Sequence, residues 1–284
     1  MNKGLLQTSI NKFKSELFSC ITTATYNGKQ YENGQKAKEA AIRSQTLILN
    51  VHEAVKQSFY QELKNKTKFN WTAHPPINKG KPELKIYGKI KGKDQDIVFL
   101  RTPVSSYKFN DGPNIGEVDL VGVEATKRSI IIGVRSQMSS VDKNFDTLME
   151  RAFAETLNLR LREPIITMGE VYVIPIQALD DKSMLQNKIK FGEKKERLEK
   201  FIRTFYSFSG RSDLKIQNAY KYDASALVIL DLQQEPPKII FDKKDLKNYG
   251  FNDEICSMFE HISADGFDVR LCESYIKFHD EAGS

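Results

Sequence analysis

Residues 116–137, GEVDLVGVEATKRSIIIGVRSQ, limit the possible folds most, because they hold two apolar runs separated by a short polar stretch. Residues 117–123 alternate acidic and apolar side chains, and residues 129–134 are almost wholly apolar and β-branched. Both patterns are typical of β-strands, and the polar stretch 124–128 is typical of a turn. The segment therefore predicts an antiparallel β-hairpin that carries Asp119 on its first arm and Arg135 just past its second.

The composition is that of an ordinary globular protein. Of 284 residues, 40% are hydrophobic and 28% are charged, and the net charge is +6 with a pI near 9.0. This basic balance suits an anionic partner without requiring one. Cys20, Cys256 and Cys272 show no CxxC spacing, which indicates a reducing compartment and neither disulfides nor zinc. No apolar stretch approaches the length of a membrane span, so we expect a cytoplasmic protein.

Hydrophobic periodicity indicates the order of the other elements. Helical spacing predicts helices over residues 5–22, 36–64, 141–163, 184–208 and 253–262. Apolar runs predict strands over residues 83–90, 97–101, 169–179, 226–232 and 239–241, while residues 269–278 fit either element. This order predicts an α/β fold in which helices flank both faces of a mixed β-sheet, and the helix after Gln137 crosses over to the strand that contains Tyr172.

We interpret residues 1–284 as one domain with three parts. Residues 1–115 hold the N-terminal helices and polar loops, and residues 116–180 hold the predicted hairpin with its crossover helix and strand. Residues 181–284 hold the remaining helices and strands.

Asp119 and Arg135 together suggest phosphodiester chemistry. Hydrolysis of a DNA phosphodiester needs a divalent cation, held by hard oxygen ligands, to generate hydroxide and to neutralise the developing charge. In a paired hairpin Asp119 would share one metal ion with a carboxylate two residues before Arg135, because residues i and i+2 of a strand point to one face. The residue at that position is Gly133.

These strings resemble the PD-(D/E)xK nucleases, the restriction-endonuclease fold, in which a strand Asp is followed by a second strand ending in Glu-x-Lys. Asp119 matches the Asp of that motif, Gly133 its Glu and Arg135 its Lys. Ser136, Gln137 and the following helix are similar to the XhoI-like branch of type II restriction enzymes. The resemblance covers roughly residues 116–161. It implies that residues 116–180 are the catalytic core, that residues 1–115 supply the N-terminal helices and DNA-facing loops, and that residues 181–284 serve recognition or dimerisation.

The resemblance implies a restriction-endonuclease-like domain that uses Mg²⁺ to hydrolyse both strands of a short, palindromic duplex DNA site and acts as a homodimer. Asp119 would hold the metal, with Gln137 and Glu117 in support and Glu53 approaching from an N-terminal helix. Arg135 would contact the phosphate and stabilise charge, since an arginine cannot take up a proton as a base.

Gly133 removes one metal ligand, so we expect little or no cleavage while DNA binding is retained. Three explanations are open: an engineered replacement that traps uncut DNA, a natural loss, or a ligand from elsewhere, with Glu117, Glu124 or Glu53 as donors. We favour the first, because a single base change converts Glu to Gly. Two other functions are open: a DNA-binding protein of the same fold that does not cut, and a structural α/β protein unrelated to nucleic acid.

Two polar segments, residues 78–93 and 207–223, are candidates for DNA contacts. Phosphate or groove contacts are predicted for Lys79, Lys81, Lys89 and Lys91 in the first segment and for Arg211, Lys215, Asn218 and Lys221 in the second. Each segment is equally typical of a solvated surface.

Overall fold

The structure is a computed structural model that describes residues 1–101, 103–138, 145–192 and 195–280. The helices in these residues are α1 (Lys3–Thr23), α2 (Gly34–Arg43), α3 (Leu49–Lys66), α4 (Val123–Lys127), α5 (Phe145–Arg160), α6 (Asp181–Met184), α7 (Lys195–Phe208), α8 (Lys243–Asn248), α9 (Asp253–Ile262) and α10 (Phe267–Asp280). A 3₁₀ turn covers Ile216–Asn218. None of the described helices is long and apolar enough to cross a membrane.

Six strands form the central sheet, in the order β12-β11-β10-β9-β6-β3. They are β3 (Trp71–His74), β6 (Ile97–Arg101), β9 (Ile130–Ser136), β10 (Thr167–Pro175), β11 (Ala224–Asp231) and β12 (Lys238–Ile240). Six shorter strands pair in twos: β1 (Thr25–Tyr26) with β2 (Lys29–Gln30), β4 (Leu84–Tyr87) with β5 (Gly92–Gln95), and β7 (Tyr107–Lys108) with β8 (Val118–Asp119).

The centre of the sheet is parallel and its sides are antiparallel. Strands β9, β10 and β11 run in one direction, and α5 connects β9 to β10, as the crossover prediction required. Strand β6 runs antiparallel to β9, β3 to β6, and β12 to β11. The predicted α/β fold with a mixed sheet is confirmed.

Apolar side chains leave both faces of the sheet, as the continuous apolar runs of β10 and β11 require. Every residue of these two strands is buried. On one face the sheet packs with residues of α1, α3 and α10, and on the other with residues of α5, α7 and α9. The helices therefore flank both faces.

The predicted hairpin over residues 116–137 is wrong. Strand β8 pairs with β7 in a separate two-stranded sheet, residues 123–127 form α4 rather than a turn, and β9 lies between β6 and β10. Strand β9 is almost entirely apolar, so its neighbours in the core must be apolar too, and the buried run Ile97–Arg101 meets that need better than the acidic first arm, where Leu120 is exposed.

Several other boundaries differ from the predictions. The helix predicted over residues 36–64 is two helices, α2 and α3, and the one predicted over 184–208 begins only at Lys195. The start of the helix predicted over 141–163 lies partly outside the described residues, and α5 begins at Phe145. The undecided segment 269–278 lies in helix α10, and strand β3 was not predicted.

Candidate functional site

Three neighbouring strands place two acids on either side of Gly133. Gly133 of β9 is paired in register with Glu170 of β10. On the other side Ile97 of β6 is paired with Ile132, so Asp96, one residue earlier in the antiparallel register, lies beside Gly133. The backbone N–H of Val134 donates to Asp96 Oδ2 at 2.8 Å, which fixes this approach. Asp96, Gly133 and Glu170, here called the Gly133 row, thus lie side by side.

Glu170 fills the space that a side chain at Gly133 would need. Its Oε2 atom lies 2.2 Å from the position that a Cβ on Gly133 would take. Glu170 is 2% exposed, whereas Gly133 is partly exposed. Burial raises the pKa of Glu170 to about 7, Arg135 opposes this rise, and Glu155 and Asp96 add to it.

Arg135 lies between two carboxylates. Its guanidinium contacts Glu155 of α5 and lies 3.4 Å from Oε1 of Glu170. Burial alone would lower the pKa of Arg135, but Glu170 and Glu155 raise it well above its usual value. Burial would likewise raise the pKa of Glu155, yet Arg135 and Lys93 outweigh this effect and lower it. Arg135 and Glu155 are therefore both charged at neutral pH.

A cavity of about 690 Å³ opens beside this cluster. It lies between the helices of the two faces, and its lining includes Asp96, Val134, Arg135, Glu155 and Lys93. His52 of α3 also lines it and contacts the carbonyl oxygen of Val134 at 3.0 Å. Burial lowers the pKa of His52, although Asp96 opposes the shift, so the imidazole is neutral at pH 7. Asp96, Glu155 and Arg135 thus border the cavity beside β9.

Tyr222 lies in the apolar layer beneath α5, with Ile131 and Met168. It is 3% exposed, and its hydroxyl has no hydrogen-bond partner in the described part of the chain. Burial raises the pKa of Tyr222, and Glu170 contributes the largest charge effect, followed by Arg135. Ile131 and Met168 precede Gly133 and Glu170 by two residues on β9 and β10, so Tyr222 lies on the same face of the sheet as the Gly133 row.

Asp119 does not join this cluster. Its Oδ2 accepts a 2.7 Å hydrogen bond from Arg162, and its Oδ1 accepts one from the backbone N–H of Val121. Arg162 also donates to the carbonyl of Tyr87, so this cluster ties β8 to the β4–β5 sheet. The predicted meeting of Asp119 with Arg135 depended on the hairpin, which does not form.

The other residues predicted near the metal are also dispersed. Glu117 accepts from the Tyr87 hydroxyl at 2.8 Å, and Glu53 pairs with Lys56 and accepts from the backbone N–H of Asn78. Glu124 is exposed and lies near Arg128. Gln137 is buried, and its Oε1 lies 3.4 Å from the Tyr172 hydroxyl.

Of the residues predicted to contact DNA, the first group lies at the surface. Lys79, Lys81, Lys89 and Lys91 are exposed, and Lys91 also lines the cavity. In the second group Lys215 is exposed, Asn218 donates to Asp213, and Lys221 is half-buried. Arg211 is buried, and its guanidinium donates hydrogen bonds to the carbonyls of Pro164 and Asp213. Its guanidinium is not available to a DNA groove.

Asn158 of α5 fixes the turn that carries two of these lysines. Its carbonyl accepts from Lys89 N–H at 2.6 Å, and its side chain accepts from Ile90 N–H at 2.8 Å and donates to Lys91 O at 3.0 Å. The same helix presents Glu155 to Arg135. Helix α5 therefore contacts both the cavity, through Glu155, and the turn that carries Lys89 and Lys91, through Asn158.

Asp96, Glu155, Glu170 and His52 are the site residues that sequence reasoning missed. Asp96 directly precedes a predicted strand and Glu170 is a single acid at the start of another, but nothing in the sequence indicates that both meet β9 at Gly133. Within the described residues no group of three or more His, Cys, Asp or Glu side chains is placed to hold a metal ion. A metal here would have two carboxylates at most and would need water or substrate oxygens as further ligands.

Comparison with protein-family models, with curated proteins and with solved structures finds no match to this chain.

Proposed function

We propose that the chain is a double-stranded DNA-binding protein of the metal-dependent endonuclease type, with Asp96 rather than Asp119 as its strand aspartate. The observation that supports this most is the position of Asp96 beside β9, where Arg135 and a cavity lie within reach of it. Strand β6 thus pairs with β9 and brings an aspartate beside it, as the first arm of the predicted hairpin was expected to do. The resemblance of residues 129–161 to restriction enzymes is unaffected by this exchange.

The residues fit a Mg²⁺ site with few protein ligands. Mg²⁺ is usually bound through one or two carboxylates and completed by water and substrate phosphates, and it would generate the attacking hydroxide. Asp96 would hold the ion from the cavity side. Arg135, held by Glu155, would stabilise the charge on the phosphate and cannot act as a base.

The exposed lysines around the cavity would bind the DNA backbone. The backbones of Lys89 and Lys91 are hydrogen-bonded to Asn158 of α5, the helix that also carries Glu155, the partner of Arg135. Phosphate contacts of this kind position a duplex without reading its sequence. Cleavage of both strands of a palindromic site would require two copies of the chain related by a twofold axis.

A DNA-binding protein that does not cut is the second candidate, and Gly133 favours it, because this residue offers no ligand. One experiment addresses both. Fluorescence anisotropy with a random-sequence duplex should give salt-dependent binding, and supercoiled plasmid with Mg²⁺ should be nicked by a cutting enzyme only. Absence of any salt-dependent duplex binding would contradict the proposed function.

A further inference from the structure

We infer that Glu170 supplies the carboxylate that strand β9 lacks at Gly133, and that Asp96 and Glu170 together bind the divalent cation of this chain. The identity of the cation rests on the proposed function. The assignment of Glu170 names a ligand that neither the motif nor the sequence pattern contains.

The first reason is the layout of the Gly133 row. Asp96 and Glu170 flank Gly133 on the two neighbouring strands. A side chain at the middle position would separate the two acids, but Gly133 has none. The Glu170 carboxylate leans into the space thus left, with Oε2 2.2 Å from the missing Cβ position.

The second reason is that the two oxygens of Glu170 have different surroundings. Oε1 lies 3.4 Å from Arg135, whereas Oε2 lies over Gly133, towards Asp96. Metal-binding carboxylates are commonly oriented by such an outer partner. Arg135 is in turn held by Glu155, so Glu170 is fixed from one side and presents its other oxygen to the row.

The third reason is independent of the acids. The Tyr222 hydroxyl is buried on this side of the sheet and has no hydrogen-bond partner among the described residues. Buried hydroxyls are usually hydrogen-bonded, so the Tyr222 hydroxyl can still accept a partner. It lies on the face of the sheet that carries the Gly133 row, where the oxygen atoms of a hydrated cation would be such partners.

Gly133 and Glu170 therefore depend on each other. A side chain at Gly133 must displace the end of Glu170, so simple restoration of the motif glutamate would put two acids into one space. Moving the acid from β10 to β9, by Glu170→Ala together with Gly133→Glu, should instead preserve the site. This exchange is the sharpest test that the chain offers.

The test is a titration of the full-length protein with Mn²⁺ alone, followed by the electron paramagnetic resonance of the free ion. The wild type should bind one Mn²⁺, and Glu170→Ala, which removes a direct ligand, should weaken binding by at least the roughly 10- to 100-fold that loss of an outer-shell partner costs. Glu170→Gln, which keeps the shape of the side chain, should do the same, and circular dichroism melts check that each variant is folded. Glu163→Ala, which removes a buried acid outside the row, should bind as the wild type does.

The exchange supplies the rescue. Gly133→Glu in the Glu170→Ala background should recover affinity close to that of the wild type, whereas Gly133→Ala in the same background should not. The inference is overturned if both Glu170 variants bind Mn²⁺ as tightly as the wild type. It is also overturned if the wild type binds no Mn²⁺. That holds even if the variant with Glu170→Ala and Gly133→Glu binds Mn²⁺.

Duplex DNA binding by the same proteins separates this inference from the proposed function. If the wild type binds DNA but its Mn²⁺ affinity does not depend on Glu170, the inference fails and the proposed function stands. If Mn²⁺ binding depends on Glu170 and no variant binds duplex DNA, the metal pair stands and the DNA assignment fails.

Discussion

Asp119 and Glu163 lie against Arg162, here called the Asp119 cluster, and Glu170 of the Gly133 row lies against Arg135. The two regions differ in whether a carboxylate is still available to a ligand. Asp119 has a side chain that is 0% exposed, and its two oxygens accept hydrogen bonds from Arg162 and from the backbone of Val121. Asp96 is half-buried, lines the cavity and has Gly133 beside it. A closed ion pair of the first kind holds structure together, whereas the second arrangement leaves the Asp96 carboxylate at the cavity.

The comparison teaches that a buried acid is a weak sign of function until its partners are known. Burial of an unpaired charge is costly, and on that ground Asp119 attracts a catalytic interpretation. Arg162, which is 43 residues away in the chain, removes that cost. The acid that borders the cavity is less buried and less conspicuous in the sequence.

The largest expected effect is on stability, at Asp119. Asp119→Ala leaves Arg162 without its main partner and should lower the free energy of unfolding by about 3–5 kcal/mol, as the breaking of a buried ion pair does. Urea denaturation measures this. Asp96→Ala, the matched change in the other region, should cost about 1–3 kcal/mol, since it leaves the backbone N–H of Val134 without its partner. Equal losses at both positions would break the comparison.

Glu163 provides a pH test of the Asp119 cluster. It lies 3.8 Å from Arg162, and burial raises its pKa to about 7, with Arg162 opposing the rise. The pKa is thus higher in the folded state than in the unfolded one, so the contribution of Glu163 to stability is fully present below pH 4.5 and is lost as the pH rises through 7. The fall should reach about 3 kcal/mol at most, and Glu163→Gln should remove it from the pH profile of urea denaturation. An unchanged profile would show that folding does not shift the pKa of Glu163.

Asp96 should affect metal affinity far more than stability. Asp96→Asn keeps an oxygen for the Val134 N–H but lacks the charge, so Mn²⁺ affinity should fall about 10- to 100-fold with little change in unfolding. Calorimetric titration measures the affinity. The matched variant Asp119→Asn should keep the wild-type affinity in the fraction that is folded. Loss of Mn²⁺ binding in Asp119→Asn alone would reverse the roles of the two regions.

The smallest expected effect is on DNA affinity. Replacing Lys89 and Lys91 together by alanine should make the slope of log affinity against log salt shallower by about 2, because each lysine contributes about one phosphate contact. Anisotropy titrations at several salt concentrations measure the slope. The control is the removal of two exposed lysines of α8, Lys243 and Lys244, which do not line the cavity. An equal change in the control would indicate a general charge effect only.

The sequence predicted the fold class because its strongest signals are local. Apolar runs of β10 and β11 and the periodicity of α5 specify buried parallel strands and a crossover helix wherever they occur. Strand partners are set by long-range packing, and residues 117–123 have a strand pattern without the apolar faces that the centre of the sheet needs. This is why β9 was predicted correctly as a strand and paired with the wrong neighbour.

The site could be predicted only as far as β9 itself. Arg135 and Gly133 lie on that strand, so their spacing was readable, whereas Asp96 and Glu170 reach the same place from other strands. Glu155 depends on the position of α5 over the sheet. Arg211 was predicted to contact DNA and is buried instead. Nothing in a polar segment of sequence distinguishes a buried arginine that binds carbonyls from one that faces solvent.

The central claim is that the functional acids are Asp96 and Glu170, on either side of Gly133. Crystals of the wild-type protein soaked in Mn²⁺ and measured at the manganese absorption edge test it most directly, because the anomalous signal marks the ion alone. We expect one strong peak between the Asp96 and Glu170 carboxylates, over Gly133. A peak at Asp119, or no peak at the Gly133 row in crystals that take up Mn²⁺ elsewhere, would contradict the account.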